Sequence, residues 1–365
     1  MSKKKIYVLH ERSTKSHFIA LETFVKKNNT IIIYREFLIS RQLLKSLFYI
    51  DFQLLKKQVK NLLFIISLFF SKNKNIVLGI APLDYNLLIL SPFLKSHNIF
   101  YFTSWCDWSG DFYPKKKFTK YLLLKRAWKK SLLTRIKGVF SVTEHAENSL
   151  KKYYEIEKPI SIVNHSFLES KINHKKQDSI YPSKESKVIN IIYVGRLIKK
   201  KGLGQFFTVV DSLDEKKYNF FILGDGELRK DVESFAGSHS NVYYKGFLNS
   251  KKELYNLYSK CQIQLLFSRK SKRWEELFGM VIIEAMYNNV ITVSTNHLWP
   301  QSIISDKIDG FLIDDDSNIV CNTISILSNI ESNLNQMRQT AYAKSLDYSR
   351  EKLSLKWGEI LEYYV

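Results

Sequence analysis

Val188 to Phe206 reads VINIIYVGRLIKKKGLGQF. An apolar run, VINIIYVG, ends at Gly195; Arg196 stands in the turn, and Lys199, Lys200 and Lys201 precede Gly202 and a helical pattern. The run is continuous rather than alternating, as expected of a strand covered on both faces. A buried strand feeding a helix predicts one unit of a parallel sheet.

The same pattern recurs outward in both directions. C-terminal to it, strands are expected at YNFFILG (Tyr218–Gly224), NVYYKG (Asn241–Gly246), IQLLFS (Ile263–Ser268) and VITVST (Val290–Thr295). N-terminal to it, they are expected at KIYVLH (Lys5–His10), NIVLGIAP (Asn75–Pro82), IFYFTSW (Ile99–Trp105), GVFSVTE (Gly138–Glu144) and ISIVNH (Ile160–His165). A polar stretch without apolar periodicity, Lys171 to Lys187, separates the two series and reads as a linker. The expectation is an α/β protein with two Rossmann-like domains, their parallel sheets facing a central cleft: residues 1–172, a linker at 173–187, and residues 188–345. Ligands of such sheets bind beyond the carboxyl ends of the strands.

The chain has 365 residues and a formal charge of +21, with 45% apolar residues, so it is globular and suited to an anionic partner. Three scattered cysteines have no metal-ligand or redox spacing, which fits a reducing compartment. The longest apolar run, Leu62 to Phe70, is far shorter than the roughly 20 residues of a spanning helix. A cytoplasmic protein without an anchor is expected.

Three stretches carry chemistry. Arg196 and Lys201 are cations at a strand-end turn; arginine can hold two phosphate oxygens at once and lysine adds a point charge. Gly224-Asp225-Gly226 follows a strand and lets backbone approach a ligand, although such a triplet is also an ordinary turn. Gly246-Phe247 ends another strand, where backbone groups can face a nucleobase. In the third stretch, SRKSKRWEELFGMVIIEAMYNN (Ser268–Asn289), a helix start near Phe278, Gly279, Met280 and Val281 offers N–H groups to an anion. If the whole segment were helical, Glu276 and Glu284 would lie roughly 12 Å apart along the axis. That is too far for an acid–base pair but suited to gripping two ends of an elongated ligand. An N-terminal carboxylate favoured by the helix dipole, plus an ordinary helix glutamate, accounts for the spacing equally well.

Together these stretches resemble the nucleotide-sugar half of the retaining GT-B glycosyltransferases, glycosyltransferase family 4 or group 1. The matching residues are Gly195-Arg196-Leu197 with Lys201-Gly202, Gly224 to Leu228, Phe267-Ser268, and Glu276-x-Phe278-Gly279-Met280-Val281-x-Ile283-Glu284. The resemblance implies that Arg196 and Lys201 bind the donor diphosphate, and that amides of Phe278 to Val281 contact phosphate and sugar. It further implies that Glu276 holds the transferred sugar, that Glu284 holds the ribose, and that no metal or other cofactor is used. It also implies that the final helix, within 346–365, crosses back to the first domain. A histidine cluster is missing from the sequence.

The N-terminal half departs from the family: HERSTKSHF has no glycine where a Gly-Gly loop is common, and TSWCDWSGDFY replaces His-Asp. Gln301 in NHLWPQSI stands where Glu is common. Asp107 is the candidate cleft acid, and Trp105 and Trp108 are candidates to stack on an acceptor sugar; a loop acid between core aromatics is the alternative. Tyr113 to Gly138 holds ten Lys or Arg and no acid, including Lys115, Lys116, Lys117, Lys125 and Arg126, with Trp128 in its apolar stripe. This segment is expected to lie on an anionic membrane surface. A second basic, apolar segment, Arg41 to Leu63, is expected to turn its stripe to the core. The partners expected are a nucleotide-sugar, a glycan or lipid-linked acceptor and the inner membrane face, in surface polysaccharide assembly, with no nucleic acid. An epimerase of the same fold and a non-catalytic polyanion-binding protein are the competing readings.

Overall fold

The computed structural model describes residues 3–11, 15–106, 108–109, 122–167, 188–270 and 279–365. The chain divides into two compact units: Met1–Ser166 with Arg350–Val365, and Phe167–Ser349. Each is built on a six-stranded parallel sheet.

The first sheet comprises β1 (Lys5–His10), β2 (Ile31–Glu36), β3 (Asn75–Gly79), β4 (Asn98–Thr103), β5 (Gly138–Ser141) and β6 (Ile160–Ile162), ordered β2-β1-β3-β4-β5-β6. All residues of β3 and β5 are buried, the both-faces-covered condition that the continuous apolar runs anticipate. Around the sheet pack α1 (Ile19–Lys27), α2 (Ile39–Phe48), α3 (Phe52–Phe69), α4 (Asn86–Leu94) and α5 (Leu122–Trp128). The C-terminal helix, Arg350–Leu361, lies on α1 and sets Trp357 4.2 Å from Phe140 and stacked on Phe102. A Cβ on Gly138 would sit 2.8 Å from the Ile360 side chain, so the strand start and this helix are in close contact.

The second sheet comprises β7 (Ile189–Val194), β8 (Tyr218–Leu223), β9 (Val242–Tyr244), β10 (Ile263–Leu266), β11 (Ile291–Thr295) and β12 (Gly310–Ile313), ordered β12-β11-β10-β7-β8-β9. Relabelled from β7 onward this is the 3-2-1-4-5-6 order of the dinucleotide-binding fold. Its helices include α6 (Leu203–Asp211), α7 (Lys251–Tyr258), α8 (Met280–Tyr287) and α9 (Leu298–Ile303).

Burial in the two basic segments differs from the expectation. In the first, Leu124, Trp128 and Leu132 are buried, and the Trp128 indole N–H donates to the Asp84 carbonyl at 3.1 Å. Trp128 is therefore a core residue, with Lys125 and Arg126 facing water behind it. Lys115, Lys116 and Lys117 lie outside the described residues. In the second, Asp51 caps α3 by accepting from the Leu54 N–H at 2.9 Å, and the helix buries Gln58, Asn61, Phe64, Ile65 and Leu68. Its other apolar side chains, with the α2–α3 connection, face solvent: Phe48 is 81% exposed and Phe52 74%.

Candidate functional site

In the second unit the chain leaves β7 to build β8 and β9 on one side, and β10 to β12 on the other. The β7–β10 boundary is thus the topological switch point, beyond whose carboxyl ends ligands of open α/β sheets bind. Gly195 and Arg196 follow β7 directly, and Phe267 and Ser268 follow β10.

The loops at this edge are tied to one another through backbone. Gly195 N–H donates to Leu223 O at 3.1 Å, Leu197 N–H to Asp225 O at 3.0 Å, and Gly224 N–H to Gly246 O at 2.9 Å. Gly202, at φ 69°, ends the lysine turn; a Cβ there would meet the Phe267 carbonyl oxygen at 2.0 Å. Arg269 N–H donates to Lys200 O at 2.8 Å, a second tie between the β7 and β10 loops. At Gly224 an added Cβ would fall 1.8 Å from Gly195 O. The close approach read from the Gly224-Asp225-Gly226 triplet is accordingly an approach to the neighbouring protein loop. The same holds at Gly279, where a Cβ would meet the Trp299 ring at 2.3 Å.

What this edge presents is cationic. Arg196 is exposed, its carbonyl held by the Tyr193 hydroxyl at 3.0 Å, and Lys201 is half-buried in the turn. Phe247 stands exposed beyond β9. The carbonyl of buried Ser268 accepts from Thr295 Oγ1 at 2.7 Å and bonds His297 Nε2 at 2.6 Å, while Arg269 pairs with Asp315 at 2.8 Å. The β10 loop is thereby braced from β11 and β12.

Helix α8 begins after Gly279, whose carbonyl accepts from Ile282 N–H at 2.8 Å; Met280 and Val281 form its first turn, half-buried. Helix openings leave N–H groups without intrahelical partners and carry partial positive charge. One turn on, Glu284 is 3% exposed and ion-paired with Lys251 of α7. Burial pushes its carboxyl above the ordinary value, and Lys251 acts in the opposite direction. Burial, then the Glu284 charge, raises the Tyr258 hydroxyl, which stays protonated and donates to Gln264 Oε1 at 2.7 Å.

Of the sequence candidates, Gly195, Arg196, Lys201, Gly224, Gly226, Phe247 and Ser268 thus stand on connected loops at one sheet edge. Phe278 and Glu276 lie outside the described residues, as does Asp107 in the first unit. Trp108 does not present a face for stacking: it is 1% exposed, edge-on to Tyr101 and Tyr154, with its indole N–H on Trp105 O at 3.1 Å. Trp105 is half-buried against the same core. Sequence reading missed Lys251, His297, Arg269 and Asp315. Nothing in the local SKKEL, NHLW or DDD contexts marks them, because their roles come from contacts across the sheet.

Residues 174–344 match the family model of the glycosyl transferases group 1. That match covers a little under half of the chain. A protein of the capsule region of Klebsiella pneumoniae is 33% identical over 135 residues, 36% of this chain and 35% of its own length. An alpha-1,4-N-acetyl-D-galactosaminyltransferase of Campylobacter jejuni, named for a GalNAc-containing diNAcBac-PP-undecaprenol acceptor, is 24% identical over 193 residues, 52% of each chain. The matched segments thus span about a third to a half of these relatives. Among solved structures, a Rickettsia africae glycosyltransferase superposes with a TM-score of 0.68 at 14% identity, covering 100% of this chain and 99% of its own. Anabaena HepE in complex with UDP and glucose gives 0.61 at 13% identity, covering 99% and 100%. The two-sheet GT-B fold is therefore that of this chain.

Proposed function

We propose that the protein is a retaining glycosyltransferase. It moves a sugar from a nucleoside-diphosphate donor to a glycan or lipid-linked glycan acceptor during bacterial surface polysaccharide assembly, at the inner membrane face and without a resident metal or cofactor. The observation that carries the reading is the convergence of Arg196, the Lys199–Lys201 turn and the start of α8 around the β7–β10 switch point. As the bond from sugar to phosphate breaks, negative charge grows on the departing diphosphate. Fixed cations and helix N–H groups stabilise that charge where it develops. Glu284, paired with Lys251, is the acceptor for ribose hydroxyls, and Glu276 the grip on the transferred sugar. The solved complex of the Anabaena neighbour with UDP and glucose supports a nucleotide-sugar donor. The relative named for an undecaprenol-linked acceptor supports a lipid-linked one.

The test is a thermal-shift panel of UDP, GDP, ADP, CMP and their sugars on wild type and Arg196→Ala. One nucleotide family should raise the melting temperature by mass action, by about 2.7 kcal/mol of stability at a hundredfold excess over Kd. The variant should lose that rise. A panel without any shift overturns the reading.

A further inference from the structure

We propose that the α2–α3 hairpin is the surface by which this protein docks on an anionic lipid bilayer. The proposal deepens the reading of a membrane-linked acceptor but stands on separate observations. Helix α3 is apolar on its exposed face as well as on the buried one, where Phe64, Ile65 and Leu68 join the core. Its buried face carries two amides, Gln58 and Asn61; Gln58 donates to Glu36 at 3.0 Å and Asn61 to Gln58 at 3.1 Å. Its exposed face carries Phe52, Val59, Leu62, Leu63, Ile66 and Phe69, spaced as one helical stripe. At the hairpin tip Phe48, Tyr49 and Ile50 extend that stripe into solvent. Isolated exposed apolar residues are ordinary, but a continuous stripe the length of a helix marks an interaction face.

Charge selects the occupant. Lys45, Lys56 and Lys60 are exposed along the hairpin, and helical geometry puts Lys56 and Lys60 roughly 40–80° round from Phe52, on one flank of the stripe. Lysines there lay their stems along apolar surface and hold the amine at phosphate height. The only acid from residue 41 to 72 is Asp51, and its carboxylate caps α3. A second copy of a chain carrying +21 would set these lysines against their own equivalents across a twofold axis. An anionic bilayer meets both the apolar stripe and its cationic flank. No described helix is long and apolar enough to cross a membrane, so α3 lies in the interface with its stripe among the acyl chains.

The test is co-sedimentation of the full chain with vesicles of phosphatidylcholine, with and without phosphatidylglycerol. Wild type should bind the phosphatidylglycerol vesicles and weaken as salt rises. Phe48→Ser/Phe52→Ser and, separately, Lys56→Glu/Lys60→Glu should each lower partitioning by about tenfold or more. Melting temperatures should not change, since these side chains face solvent. Absence of wild-type binding, or undiminished binding in both variants, overturns the proposal. So does a wild-type dimer that the Phe48/Phe52 variant dissociates, because the face would then be a protein interface. The nucleotide thermal shift, read on the same proteins without vesicles, separates the two conclusions. A shift without vesicle binding sinks the docking surface alone, and vesicle binding without a shift sinks the donor site alone.

Discussion

Replacing Lys251 by methionine tests the arrangement around Glu284 most directly. The Glu284 side chain is 4% exposed and that of Lys251 48%, so the variant removes the partner of an almost fully buried carboxylate from a site half open to water. Stranding a charge inside a fully buried pair costs about 3–5 kcal/mol. Screening at the exposed amine reduces this to about 1–3 kcal/mol. For a unit of this size each kcal/mol moves the melting temperature by about 2–4 °C, giving a loss of roughly 2–12 °C near neutral pH. Its pH dependence follows from the direction of the Glu284 shift, which burial raises and Lys251 opposes. With Lys251 gone, the folded state holds the Glu284 proton more tightly than the unfolded state does. Stability therefore falls as pH rises from the ordinary glutamate value of about 4.3 through the raised folded value. Scanning calorimetry should find the deficit largest at neutral pH and smaller in acid. Lys251→Met/Glu284→Gln, which removes the buried charge as well, should recover much of the loss. A deficit independent of pH, with a double variant as unstable as the single one, would refute the reasoning.

Gly202→Ala should be strongly destabilising, since a Cβ at φ 69° meets Phe267 O at 2.0 Å, and that oxygen belongs to the backbone and cannot swing aside. Denaturant melts and the nucleotide thermal shift should report it together, because the same contact joins the β7 and β10 loops. Trp128→Ala should cost about 3–5 kcal/mol by leaving a core cavity; a variant that kept its stability and lost only vesicle binding would show a surface role for this side chain instead. His165 is buried beside His17, and burial lowers its pKa to about 3. The folded state therefore excludes a proton that the unfolded state takes up below about 6.5, so stability present above that pH is lost as pH falls. His165→Phe should flatten the acid limb of a pH–stability curve read by circular dichroism, and an unchanged slope would show that other groups set it.

Buried strands were the most legible elements, because a strand covered on both faces reads as a mostly apolar run, and β3, β5, β10 and β11 are buried along their whole length. The two strands that sequence reading missed, β2 and β12, are sheet edges. β2 buries only Glu36, and its IIIYRE run passes towards α2 without a glycine or proline to mark its end. Of the site, the cations and glycines after β7 and β8 were readable because strand-end turns impose them. Lys251, one strand earlier in the chain yet paired with Glu284, was not, since an exposed-looking lysine in a helix start carries no sign of the carboxylate it will meet.

By itself the sequence determined the strand–helix alternation, the two series of strands and the cationic turn after β7, each a matter of local pattern. Only the tertiary structure decided which stripe of each basic helix is covered. Periodicity records that an apolar face exists, whereas burial depends on what packs against it. Around α5 the apolar stripe meets Tyr101 and the Asp84 carbonyl and becomes core. On α3, the face carrying Gln58, Asn61, Phe64, Ile65 and Leu68 turns inward, with Gln58 bonded to Glu36 at the end of β2, and a second apolar stripe is left at the surface.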